Sequence, residues 1–245
     1  MDIVSMKRTN DRAADQIRPA NFELNFIKVA EGSVLAKFGD THVLCNVTVD
    51  ESLPNWLRNQ PRPHGWLTAE YALLPRSTQQ RVRREQRWPK GRTQEISRLI
   101  GRSLRMAVDL NALGMRQLIV DCDVLQADGG TRTTAISGGW LALKLALDPL
   151  IAAGELPAAV LRNQVAAISV GIVDGRPLLD LDYNEDVAAG VDLNVVMTGA
   201  DEIIEIQGTA EKAPFSRAQL DGLIDLAAAG CRQVLEAQNQ ALIAL

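Results

Sequence analysis

Cysteine, histidine and aromatic residues are all scarce in this chain of 245 residues. The three cysteines, Cys45, Cys122 and Cys231, lie far apart and form no CxxC pair. They read as small buried hydrophobes in a reducing cytoplasm rather than as a disulfide framework. With only His42 and His64 to join them, a zinc site is short of ligands. No stretch reads as the roughly 20 apolar residues that span a bilayer, so no membrane partner is expected. The opening MDIVSMKRTNDRAADQIRP is polar and lacks the apolar core of a secretory signal. What remains is ordinary for a soluble globular protein: 47% hydrophobic and 23% charged residues, in a length that suits one large domain or two small ones sharing a core.

The formal charge of −4 conceals an asymmetry. Between Arg58 and Arg105, eleven arginines and Lys90 face only Glu70, Glu85 and Glu95, a net +9; the rest of the chain sets 14 bases against 27 acids, a net −13. Such a segment is either a solvated surface run or the footprint of a polyanion bound at one place. Arginine stands where lysine would serve a merely solvated surface, and its planar fork matches phosphate oxygens.

Hydrophobic patterning predicts strands over residues 22–29, 33–38 and 42–49, separated by Gly32 and by Gly39-Asp40. Residues 54–92, rich in Pro, Arg and Gln, are expected to form a long loop. A helix capped by Thr93 follows, with Ile96, Leu99, Ile100 and Leu104 on one face and Arg98, Arg102 and Arg105 on another, ending at Gly114. A strand over 117–125 then leads through Asp128-Gly129-Gly130 into an apolar helix over about 133–152. The second half repeats the order, with strands over 165–173, 177–182, 190–197 and 202–207 and a final helix over about 216–245. The expected class is α+β, one domain over 1–245 with a first half at about 16–150 and a second at about 160–245.

Three groups of residues carry chemistry. Gly129-Gly130-Thr131-Arg132-Thr133 stands between a strand and a helix, where glycines admit an anion close to the backbone and the first helical turn offers free N–H groups. Thr131 and Thr133 add hydroxyls and Arg132 a charge, a set suited to inorganic phosphate; a tight turn with a threonine cap is the plainer alternative. No GK[ST] and no GxGxxG is present, so neither a nucleoside triphosphate nor a dinucleotide is suggested. Arg92, in Gly91-Arg92-Thr93, offers a second positive fork if the two helix starts converge. Strand alternation over 179–182 sets Asp180 and Asp182 on one face with Asp186 just beyond, a grouping for Mg²⁺ or proton donation, or simply an acidic strand end in solvent. Arg76, Arg81 and Arg84, with Trp56, Trp66 and Trp88 nearby, suit single-stranded RNA, although the tryptophans serve equally well as packing at a subunit contact.

Together these runs resemble the bacterial ribonuclease PH family. The resemblance is carried by Gly65–Tyr71, Leu74–Thr78, Gly91–Arg102, Asp121–Thr133, Val191–Thr198 and Ile206–Glu211, in the family's order and over nearly the whole chain. It implies two βαβ-type halves around a shared core, similar to ribosomal protein S5 domain 2. It implies a cytoplasmic phosphorolytic 3′→5′ exoribonuclease, a nucleotidyltransferase to inorganic phosphate, acting on tRNA precursors within a homohexamer built as a trimer of dimers. By motif, Arg92, Gly130, Thr131 and Arg132 bind phosphate, Asp180 and Asp186 match metal or proton-donating positions, and Arg76, Arg81 and Arg84 engage tRNA. Residues 58–65 and 84–90 depart from the family's glycine-rich, flexible pattern. The alternative function is a non-catalytic RNA-binding subunit of an exosome-like ring.

Overall fold

The computed structural model describes residues 8–85 and 91–245. Two sheets enclose one helix. The first sheet holds β1 (Ala20–Leu24), β2 (Gly32–Phe38), β3 (Thr41–Asp50), β4 (Trp66–Leu73) and β5 (Gln117–Gln126) in the order β1-β2-β3-β5-β4. Its pairs are antiparallel except β4 with β5, which run parallel and are joined by the crossover helix α2 (Gly91–Arg105). The second sheet is wholly antiparallel, with β6 (Val165–Val173), β7 (Arg176–Leu179), β8 (Val191–Thr198) and β9 (Ile203–Ala210) in the order β7-β6-β8-β9. Between the sheets lies α3 (Thr131–Ala152), and α4 (Arg217–Ile243) closes the second sheet and reaches β1. Short helical turns at Asn55–Arg58 and Leu110–Leu113 fill connections.

Local pattern explains most of these elements. Along β5, Leu118, Val120, Cys122 and Val124 alternate into the core, and on α2 the stripe Ile96, Leu99, Ile100 and Leu104 is buried. Ser216 caps the last helix in a reciprocal box with Gln219. The middle helix α3 is buried nearly all round because it serves both sheets. Gly138 lets it approach β2 and β3, since a Cβ there would stand 2.7 Å from the Ala36 Cβ and 2.9 Å from the Cys45 Sγ. By length and composition α3 also qualifies as a membrane span, contrary to the reading of the sequence, but its burial marks it as a core helix. All three cysteines are free and buried, as their spacing predicts.

The first strand is Ala20–Leu24 rather than 22–29, and three larger departures from the sequence expectation accompany it. The stretch 54–92 contains β4, whose alternating Leu67, Ala69 and Tyr71 are buried; the Pro and Arg around them hide a short parallel edge strand. The helix expected to start at a Thr93 cap and run to Gly114 spans Gly91–Arg105, with Thr93 inside its first turn, and a separate turn capped by Asp109 carries the chain to Gly114. The strand expected through Asp182 stops at Leu179. Asp180 takes a left-handed φ of 54°, and Asp182 caps a short helix, α5 (Tyr183–Ala188), in a reciprocal box with Glu185. That last change decides which acids face the site.

Candidate active site

The turn leading from β5 into α3 is built on two left-handed glycines, Gly129 at φ 75° and Gly130 at φ 64°. A Cβ at Gly129 would lie 2.5 Å from the Leu181 carbonyl oxygen, so only glycine allows the turn to press against the segment before α5. The Tyr183 N–H donates to the Asp128 Oδ1 at 3.3 Å across the same contact. Gly130 is the cap residue of α3, and its carbonyl accepts from the hydroxyls of both Thr133 and Thr134 at 2.9 Å. Thr133 is therefore turned inward and buried, and its hydroxyl is not offered to an anion as the motif suggested. The Thr131 hydroxyl instead lies 2.8 Å from the Tyr71 hydroxyl at the cavity wall. Burial pushes the Tyr71 phenol up, against the opposing pull of Thr131, Arg92 and Arg132.

In front of this turn opens a cavity of about 990 Å³. Arg92 reaches it from the start of α2, Gly130, Thr131 and Arg132 from the start of α3, Asp186 from α5 and Asp192 from β8. The two helix starts thus converge, which sequence alone did not show. Arg132 leans on the Glu95 carboxylate at 3.3 Å and the Gln207 side-chain oxygen at 3.2 Å. Burial raises the Asp186 carboxyl above its ordinary range, and Arg92 and Arg132 pull it back down. At Asp192 burial and then the Asp186 charge raise the pKa from 3.8 to about 6, again opposed by both arginines. The two arginines and these two crowded acids share one volume, and Glu211, on the same wall with Lys212, raises both acids further.

Asp180 is not among them. It is fully buried, and its Oδ2 accepts from the Arg18 backbone N–H at 2.7 Å and from Nε at 2.9 Å, while Oδ1 accepts from Nη2 at 2.7 Å. With both oxygens taken by one arginine, it has no open face for a metal or a substrate proton. The left-handed bend, invisible to an alternation argument, turned it away. The acid that takes its place is Asp192, in the Val191-Asp192-Leu193-Asn194 run. Its signal was strand alternation beside a buried Leu193, and the sequence reading passed over it. Among the described residues no group of three or more His, Cys, Asp or Glu is arranged to hold a metal ion. The carboxylates that line the cavity are Asp128, Asp186, Asp192 and Glu211, of which Asp192 is crowded by Asp186.

Arg76, Arg81 and Arg84 are exposed on the loop after β4. That loop is tied to the segment leading into the glycine turn by the Ala127 N–H donating to the Ser77 carbonyl at 2.8 Å, and its Gln79, Gln80 and Val82 line the cavity. The basic run thus leads to the cavity mouth. Trp56 and Trp66 do not line it: they meet edge to face at 5.0 Å, with the Arg105 guanidinium 4.8 Å above the Trp66 ring. Trp88 lies outside the described residues.

A model of the first domain of the 3′ exoribonuclease family matches residues 16–149, and a model of the family's second domain matches residues 163–230. The chain belongs to the 3′ exoribonuclease family. It is 54% identical to the ribonuclease PH of Crocosphaera subtropica over 239 residues, 98% of this chain and 99% of the relative. It is 53% identical to that of Moorella thermoacetica over 239 residues, 97% and 95% of the two chains. Its fold is similar to an Archaeoglobus fulgidus exosome chain solved with RNA in the active site (TM-score 0.78, 23% identity, 94% and 92% covered). The same holds for rice Rrp46 (TM-score 0.77, 18% identity, 96% and 100% covered). The α+β architecture with βαβ-type halves is that of the 3′ exoribonuclease family. In these terms Arg92, Arg132 and Asp128 come from the first family domain, and Asp186, Asp192 and Glu211 from the second.

Proposed function

We propose that this chain is a phosphorolytic 3′→5′ exoribonuclease that transfers the terminal nucleotide of RNA to inorganic phosphate and releases a nucleoside diphosphate. The observation that carries the reading is the convergence of Arg92, Arg132 and the Gly130–Thr131 turn with Asp186 and Asp192 in one cavity. Orthophosphate is the co-substrate. Arg92 and Arg132 hold it by charge-assisted hydrogen bonds, and the helix start adds backbone donors. One phosphate oxygen attacks the last phosphodiester phosphorus. The bond to the 3′-oxygen of the preceding nucleotide breaks, and that oxygen takes a proton. The same two guanidinium groups lie where charge builds up during transfer.

Asp186 and Asp192 repel each other and hold a proton more firmly than isolated carboxylates, which suits them to supply that proton or to share a cation. Asp186 and Asp192 would hold Mg²⁺, which when bound would supply charge neutralisation on the reacting phosphates. The Asp180–Asp186 pairing expected from the motif gives way to Asp186–Asp192 on geometric grounds. Arg76, Arg81 and Arg84 receive the RNA backbone, with tRNA precursor 3′ ends as the substrate class. Assembly is as a hexameric ring, in keeping with exposed apolar side chains such as Val29, 90% accessible, and Ile203 and Ile243. Free buried thiols suit the cytoplasm. The alternative of a non-catalytic ring subunit leaves without a role a cavity in which Arg92 and Arg132 meet Asp186 and Asp192.

The test is incubation with an oligoribonucleotide, Mg²⁺ and labelled phosphate. Label in nucleoside diphosphates is expected; unlabelled nucleoside monophosphates as products would refute phosphorolysis in favour of hydrolysis.

A further inference from the structure

The phosphate turn is held from behind by two residues that do not line the cavity. Arg18 enters from the N-terminal arm and is 3% exposed. Its Nη1 donates to the Asp128 carbonyl in a short contact, and its Nη2 donates to the Gly129 carbonyl at 3.4 Å. Thr41, at the start of β3, is fully buried. Its hydroxyl donates to the Gly129 carbonyl at 2.6 Å and accepts from the Asp128 N–H at 2.9 Å and from Arg18 Nη1 at 3.4 Å. One donor and two acceptor sites are thereby all used. The Asp128 N–H and both carbonyls point backward, while the N–H groups of Gly129, Gly130 and Thr131 have no protein acceptor among the described residues.

Two successive glycines would otherwise leave this turn free to reorient. We propose that Arg18 and Thr41 are positioning residues for the attacking phosphate, holding the Asp128–Gly130 turn so that its free N–H groups face the cavity. Asp180 is the anchor of this clamp. Its carboxylate takes Nε and Nη2 of Arg18 in a fork and so aims the rest of the guanidinium at the turn. That gives the buried acid a role that its lack of access to the cavity denies it as a metal ligand. The proposal rests on the Gly130–Arg132 turn being the phosphate site. Since a displacement of about 1 Å in a reacting group can cost on the order of 100-fold in rate, a clamp on the backbone of this turn bears directly on turnover.

The experiment measures KM for phosphate, KM for RNA, kcat and thermal midpoint in the Mg²⁺-supplied enzyme for four variants. Thr41→Val removes the hydroxyl and keeps the shape; Thr41→Ser keeps the hydroxyl. Arg18→Lys keeps the charge but cannot serve the Asp180 fork and the turn together, and Arg132→Ala is the control for the phosphate site itself. Thr41→Val and Arg18→Lys are expected to raise the phosphate KM roughly tenfold, with RNA KM unchanged and Thr41→Ser close to wild type. If Arg132→Ala raises the phosphate KM while Thr41→Val and Arg18→Lys do not, the positioning role is refuted and the phosphate site stands. If Arg132→Ala leaves the phosphate KM unchanged, the phosphate site is wrong and the proposal falls with it. Equal rises in both KM values, or a Thr41→Ser variant as impaired as Thr41→Val, also refute it. Should Thr41→Val not fold, Arg18→Lys decides by the same readouts.

Discussion

Replacing Asp192 by Asn tests the electrostatics of the cavity through stability as well as activity. In the folded chain the Asp192 pKa is raised from 3.8 to about 6 by burial and by the Asp186 charge. The folded state therefore holds this proton more firmly than the unfolded state does. Below about pH 3 the acid is protonated in both states and behaves like Asn. As pH rises toward 6 the unfolded chain ionises first, and wild-type stability falls across that window. Above it, the ionised Asp192 costs the fold up to about 3 kcal/mol, at roughly 1.4 kcal/mol per pKa unit; screening by water in the cavity brings the expected figure to about 1–3 kcal/mol. Asp192→Asn should therefore be more stable than wild type at pH 8 in chelator, by roughly 2–4 °C per kcal/mol at fixed protein concentration. The difference should shrink toward about pH 4 and vanish near about pH 3. Added Mg²⁺ should raise the midpoint of wild type and not of the variant, and turnover should fall on the order of 100-fold. A variant no more stable than wild type at pH 8 would mean that this carboxylate is not the crowded charge described, and the cation pair would lose its basis.

Three further outcomes follow from the same geometry. Asp180→Ala strips a buried arginine of its partner and should cost about 3–5 kcal/mol in urea unfolding; unchanged stability with lost Mg²⁺ dependence would return Asp180 to the metal site. Gly129→Ala places a Cβ 2.5 Å from the Leu181 carbonyl at a φ of 75°, so it should unfold at lower temperature and lose phosphate affinity, and wild-type values for both would show that the turn is not pressed against the α5 segment. Replacing Arg76, Arg81 and Arg84 together by Ala should weaken RNA binding and flatten its salt dependence by about 2 in log–log slope, measured by titration at several salt concentrations; an unchanged slope would place the RNA elsewhere.

The legibility of the site in the sequence divides along a physical line. The glycine turn was visible because its requirements are local: adjacent glycines, a helix start and an arginine in the first helical turn. Arg92 was visible as a residue type but not as a partner, since convergence of two helix starts depends on how α2 and α3 pack. The acids were half legible. Alternation assigned Asp180 and Asp182 to a common strand face, but the strand ends at Leu179 and a left-handed residue intervenes. The clamp was not legible at all, since Arg18, Thr41, Asp128 and Asp180 are separated by up to 162 residues and meet only in the fold.

By itself, the sequence determined the two strand-and-helix halves, the buried cysteines, the basic run and the glycine turn, because periodicity, residue size and backbone freedom act over a few neighbours. Tertiary structure alone decided that Asp186 and Asp192 face the cavity while Asp180 and Asp182 are buried behind it. That choice depends on a single backbone bend and on which charges are brought out of water together, and neither is a property of any short stretch of chain.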